Sequence, residues 1–133
     1  MNLVQLHGAF MGLGFVCMAS AIIIAHFYKS KKWWLKAHRT LNIAAPVLAA
    51  LGIILAIIMV TPGYGVQLPL IHHILGLVTL VLLIIAPIMG FSIFKTKDKQ
   101  KIASLKKTHR VLGRITPLMY IITIIAIEVL LGG

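Results

Sequence analysis

The sequence has almost no acid. Among 133 residues only Asp98 and Glu128 are acidic, against thirteen lysines and arginines. It has one cysteine, Cys17, which excludes an intrachain disulfide and any CxxCH attachment of a c-type haem. Cys17 reads as a small packing residue inside an apolar stretch. Charged residues of both signs make up only 11% of the chain, while 60% is apolar, which excludes an ordinary solvated globule. The opening "MNLVQLHGAF" lacks lysine and arginine. Without a basic segment ahead of the first apolar run, a cleaved signal peptide is not expected, and that run should be retained.

Long apolar runs are what the chain has instead. Four stretches, at about 6–28, 40–60, 70–94 and 112–131, each carry roughly 20 residues with at most one or two ionisable groups, enough to cross a ~30 Å hydrocarbon core. They are apolar nearly all round, unlike the one-sided helices of a soluble bundle. The expected fold class is all-α: a polytopic transmembrane four-helix bundle running up-down-up-down, with residues 1–133 as a single domain. Pro46, Pro87 and Pro117 fall within spans, where neighbouring helices can re-satisfy a freed carbonyl.

The bases set the topology. All of them lie in "KSKKWWLKAHR" (29–39) and "KTKDKQKIASLKKTHRVLGR" (95–114); the N-terminus, the link "TPGYGVQLP" (61–69) and the final "LLGG" have none. By the positive-inside rule both basic links are cytoplasmic and both termini outside, in the cell (cytoplasmic) membrane. Trp33 and Trp34 suit the inner aromatic belt. A formal charge of +11 is of the kind that attracts nucleic acid, but bases confined to short juxtamembrane links serve topology and attraction to anionic lipid, so no nucleic-acid partner is expected.

Into this oily chain are set His7, His26, His38, His72, His73 and His109. One histidine stands near the start of every span, and because successive spans reverse direction, His7 and the 72/73 pair fall near the outer face while His38 and His109 fall near the inner. Alternate helices of an up-down bundle are diagonal neighbours, so each level offers a pair that faces across the core. Residues 4, 7, 11, 14 and 18 positions on lie within about 40° of a given helical side chain. From His7 these are Met11, Gly14, Met18, Ala21 and Ala25; from His38, Asn42, Ala45, Ala49, Gly52 and Ala56. From His72 they are Gly76, Thr79, Leu83, Ala86 and Gly90; from His109, Gly113, Thr116, Tyr120, Thr123 and Ile127. Such small, weakly polar stripes allow close helix packing, and they also leave room for a broad flat ligand beside its axial imidazoles. His72 is the better ligand of the tandem pair, since His72–Gly76 and Thr79 repeat the spacing of His109–Gly113 and Thr116.

Zinc or copper would want more ligands than a pair. Haem iron needs only two from the protein, and two imidazoles fill its coordination sphere, favouring electron transfer over oxygen chemistry. The cofactor expected is therefore haem, one at each level, with His7 and His72 at the outer iron and His38 and His109 at the inner. Inner propionates suit Lys36, Arg39, Arg110 and Arg114; at the outer level only neutral donors such as His73, Tyr64 or Gln67 are at hand. Tyr120, about 16 Å along its helix from His109, would fill space between the two levels.

"HGAFMGLGF", "WWLKAHRTLN", "HHILGLVTLVLLIIAPIMG" and "THRVLGR", taken in order, resemble the helix starts of the cytochrome b561 superfamily, particularly the form that accompanies DOMON domains. The resemblance covers nearly the whole chain. It implies a four-helix core with two b-type haems, ligands coming from helices one and three and from helices two and four: His7 with His72, and His38 with His109. It also implies a transmembrane electron-transfer oxidoreductase working between a cytoplasmic-side or quinol donor and an external acceptor, either of them a small molecule or a protein. A homodimer or a larger redox complex is compatible with this. Without a fused DOMON domain, the external partner would be a separate protein. The family's ascorbate-binding pattern is not recognisable here. A different class also accommodates the sequence: a cofactor-free or quinol-oxidising membrane anchor or assembly subunit, its histidines serving interhelical hydrogen bonds and its basic loops docking a partner. Bound haem separates the two.

Overall fold

The protein is described here by a computed structural model covering residues 2–63 and 69–131, the side chains of 130 and 131 excepted. Four helices account for most of it: α1 (Leu3–Phe27), α2 (Trp34–Met59), α3 (Leu70–Lys95) and α4 (Lys99–Leu131). All four are long and apolar enough to cross a membrane, and the chain is a four-helix transmembrane bundle. Tyr64 and Gln67 lie outside the described residues.

Helix ends follow local chemistry more closely than the apolar runs do. α1 begins at a capping box in which Asn2 Oδ1 accepts from the Gln5 amide at 2.9 Å and Gln5 Oε1 accepts from the Asn2 amide at 3.0 Å. α4 starts well before its apolar run, at an Asp98 cap whose Oδ1 accepts from the amides of Gln100 (2.8 Å) and Lys101 (3.3 Å). Its 33 residues extend about 50 Å, against a hydrocarbon core of ~30 Å. The surplus is the lysine-rich first turns, which continue the helix into the polar interface. α2 likewise starts at Trp34, ahead of its apolar run.

α1 packs along α2 and α3 along α4, forming two antiparallel hairpins; α2 meets α3, and α1 meets α4, over shorter stretches, and among the described residues the backbones of diagonal helices stay apart. The bundle is inverted relative to a soluble protein. Large side chains such as Leu77, Ile57 and Val16 face outward, more than half exposed, as lipid-facing residues do. Among the described residues, every buried residue but Met59 lies on one of the four histidine stripes: Gly14, Met18 and Ala21; Ala45, Ala49 and Gly52; Thr79, Leu83 and Ala86; Thr116, Tyr120 and Thr123.

At mid-depth Tyr120 ties the hairpins together. It is 1% exposed, lies 5.4 Å from the Phe15 ring centroid and donates its hydroxyl proton to the Met11 carbonyl at 2.7 Å. Thr79 and Thr123 hydroxyls pair at 3.1 Å across α3 and α4. Tyr120→Phe removes one hydrogen bond and should cost about 0.5–1.5 kcal/mol; Tyr120→Ala, which also opens a cavity, should cost about 3–5 kcal/mol. Loss of helical circular dichroism on denaturant titration in detergent checks both values.

Candidate haem sites

The diagonal histidines meet. The rings of His7 (α1) and His72 (α3) have centroids 6.3 Å apart at 77°, and those of His38 (α2) and His109 (α4) are 6.1 Å apart at 86°. An ion held in line between two imidazoles, about 2 Å from each nitrogen, puts the ring centres roughly 6 Å apart. Both pairs have that spacing.

Each ring is also oriented. Nδ1 of His7 donates to the Gly52 carbonyl at 2.8 Å, and Nδ1 of His38 to the Ala21 carbonyl at 2.8 Å. Nδ1 of His72 donates to the Thr123 carbonyl at 3.3 Å, and Nδ1 of His109 to the Ala86 carbonyl at 2.9 Å. A carbonyl only accepts, so each ring carries its proton on Nδ1 and keeps the lone pair on Nε2. Donation of the second ring nitrogen to a backbone carbonyl is the arrangement that fixes tautomer and direction in metal-ligating histidines. Among the described residues no three His, Cys, Asp or Glu side chains gather as a metal site, so the histidine pairs suit a group that brings its own equatorial donors.

The locks repeat. Within the first hairpin His7 bonds to Gly52 and His38 to Ala21; within the second His72 bonds to Thr123 and His109 to Ala86. A shift of 65 residues carries His7 to His72 and Ala21 to Ala86, and one of 71 carries His38 to His109 and Gly52 to Thr123. The second shift also superposes Lys36, Arg39, Leu41 and Pro46 on Lys107, Arg110, Leu112 and Pro117. Sequence reasoning missed this hairpin repeat, although the recurring K-x-H-R-x-L and the proline after it were a legible signal.

A cavity of about 630 Å³ opens at the His38–His109 level, bordered by both histidines, within the ~300–1,000 Å³ range of ligand pockets. Gly113 lines it, and a β-carbon built on Gly113 or on Gly76 would meet nothing within 4 Å. Beside both glycines there is space that the protein does not fill. Gly90 differs: its β-carbon would stand 3.1 Å from Cε1 of His109, so the imidazole rests on bare α3 backbone. Asn42 Nδ2 lies 3.0 Å from His38 Nε2 and 3.3 Å from His38 Nδ1, so the amide sits over the face of that imidazole, off the line of its Nε2 lone pair.

The cations expected around the inner site separate. Arg39, Arg110 and Arg114 line the cavity, together with Lys29, Lys106 and His26. Lys36 is exposed and does not reach the cavity wall. Arg39 is half-buried, its guanidinium carbon 4.0 Å from the Phe94 ring centroid and 5.6 Å from that of Phe91. His73 and Glu128 are exposed.

No curated protein and no solved structure matches the chain. The sequence profile of eukaryotic cytochrome b561 does match, over residues 6–130. With all but the ends of the chain aligned to that profile, the protein belongs to the cytochrome b561 family of haem b-binding, electron-transferring integral membrane proteins.

Proposed function

We propose that this chain conducts electrons across the cell membrane through two b-type haems, His7 and His72 holding the outer one and His38 and His109 the inner one. The observation that carries this reading is the set of four Nδ1-to-carbonyl locks, made by the same four histidines whose rings meet in two pairs. When bound, haem supplies a one-electron Fe(III)/Fe(II) couple near each face of the membrane. The protein holds the imidazoles in fixed tautomers, keeps Gly76 and Gly113 clear of neighbours and surrounds the sites with an apolar, lipid-facing wall. His7, His72, His38 and His109 would hold the two haems by their imidazoles, and the cofactor so held would supply one-electron transfer rather than oxygen chemistry.

The basic links at 29–39 and 95–114 support, by the positive-inside rule, an orientation with the His38–His109 level toward the cytoplasm and both termini outside. Electrons pass between a cytoplasmic-side or quinol donor and an external acceptor, with residues 1–133 acting as one domain. Oxidised and dithionite-reduced absorption spectra of the detergent-purified protein, with a pyridine haemochrome count, test the reading. The expected result is a low-spin b-type spectrum with two haems per chain. One haem per chain would leave only one pair as a site. No haem after expression with ample haem supply would overturn the reading in favour of a membrane anchor whose histidines only join helices.

A further inference from the structure

We propose that Arg39, set over the rings of Phe94 and Phe91, is the residue that grips a carboxylate of the inner cofactor; this deepens the haem reading above and rests on it. Nε of Arg39 is buried and has no hydrogen-bond partner, and among the described residues it is the one buried side-chain nitrogen or oxygen in that condition. Buried donors are almost always paired, and a buried cation is costly unless an anion meets it.

Among the described residues no side-chain carboxylate meets this Nε. The chain's two acids are Asp98 and Glu128. Asp98 caps the start of α4, and Glu128 lies near the other end of that helix, at the opposite face of the membrane. The partner of Arg39 must therefore come from outside the chain, and Arg39 lines the cavity that His38 and His109 border. A guanidinium stacked by its face on an aromatic ring keeps its in-plane N–H groups free, and that planar fork matches the two oxygens of a carboxylate.

The hairpin repeat shows why Arg39, and not its counterpart Arg110, has this part. Both arginines directly follow a ligand-type histidine. The shift of 65 residues that carries His7 to His72 and Ala21 to Ala86 also carries His26 to Phe91 and Lys29 to Phe94. Arg39 therefore has two phenyl rings to lie on, where the corresponding positions for Arg110 hold an imidazole and an ammonium. Arg110 is accordingly exposed, as is Arg114. These remain solvated charges at the cavity mouth, whereas Arg39 is pre-positioned inside it.

The test is made on the full-length chain, stripped of haem and reloaded with haem b or with haem b dimethyl ester, whose carboxylates are capped. The readouts are the rate of haem transfer to apomyoglobin and the midpoint potential of each haem. In the unaltered protein the ester should leave one of the two sites at least tenfold faster than haem b does. Arg39→Gln should speed the loss of haem b from that same site to a similar degree, lower its midpoint potential and change nothing for the ester. Phe94→Leu, which removes the stacking surface and keeps the charge, should give a smaller acceleration of the same kind. Equal acceleration for haem b and ester in R39Q would make Arg39 a packing residue and overturn the inference, as would no acceleration at all. A chain that takes up neither haem would overturn the haem reading itself and this inference with it.

Discussion

Replacing His109 with alanine should halve the haem content, leaving about one haem per chain, and replacing His7 should halve it too but remove the other haem. The difference lies in which partner is orphaned. His109→Ala leaves His38 facing an empty position at the inner level, whereas His7→Ala does the same to His72 at the outer, because the ring pairs are His38–His109 and His7–His72. His38→Ala should reproduce the first phenotype and His72→Ala the second, and each remaining haem should keep an unaltered midpoint potential. His26→Ala and His73→Ala should keep both haems, since both residues are exposed and neither ring meets that of another histidine at either level. If the histidines only joined helices, each substitution would remove an interhelical hydrogen bond, worth on average ~0.6 kcal/mol and at most ~1.7 kcal/mol in a membrane interior. The effect would then be a modest loss of stability, with no grouping of the four variants into two classes. Pyridine haemochrome counts and potentiometric titrations of the single variants distinguish the two results.

Much of this site is legible from the sequence, and for a plain reason. The four histidine stripes follow from helix periodicity alone, and the buried residues fall on them because close packing in a membrane selects glycine, alanine and threonine. The pairing of His7 with His72 and of His38 with His109 follows from alternating chain direction. The locks on Nδ1 do not show in this way. Their acceptors are backbone carbonyls of Gly52, Ala21, Thr123 and Ala86, and a carbonyl leaves no mark on residue type. Lys36 illustrates the opposite error, proximity along the chain read as proximity in space. Two residues before His38 on a helix lies about 200° from it around the axis, so Lys36 faces away from the cavity while Arg39, which starts farther down the same turn, reaches it. The early start of α4 has a sequence signal in the Asp98 cap, but a lysine-rich stretch reads as a link when only hydropathy is followed.

Substituting valine for Gly90 should expel the inner haem and spare the outer one. A β-carbon at position 90 would stand 3.1 Å from Cε1, 3.5 Å from Nδ1 and 3.7 Å from Nε2 of His109. Alanine there asks the ring to give by a few tenths of an ångström. Gly90→Ala should thus keep both haems and only shift the low-spin electron paramagnetic resonance signal of the inner one. The branched carbons of valine leave no such adjustment. The ring must tilt off α3, and tilting breaks the 2.9 Å bond from Nδ1 to the Ala86 carbonyl, which lies one helical turn before Gly90. Overpacking of this kind costs about 1–3 kcal/mol, and here it falls on the orientation of one imidazole, because His109 supplies the three nearest atoms. The outer pair, locked to Gly52 and Thr123, has no contact with that change. Gly12→Val is the matched control, since Gly12 is exposed and its β-carbon would meet nothing within 4 Å; it should keep both haems. Should Gly90→Val also keep both, with an unshifted inner signal, the imidazole of His109 would not be seated on Gly90 when the cofactor is bound, and the Ala86 lock could not be what orients it.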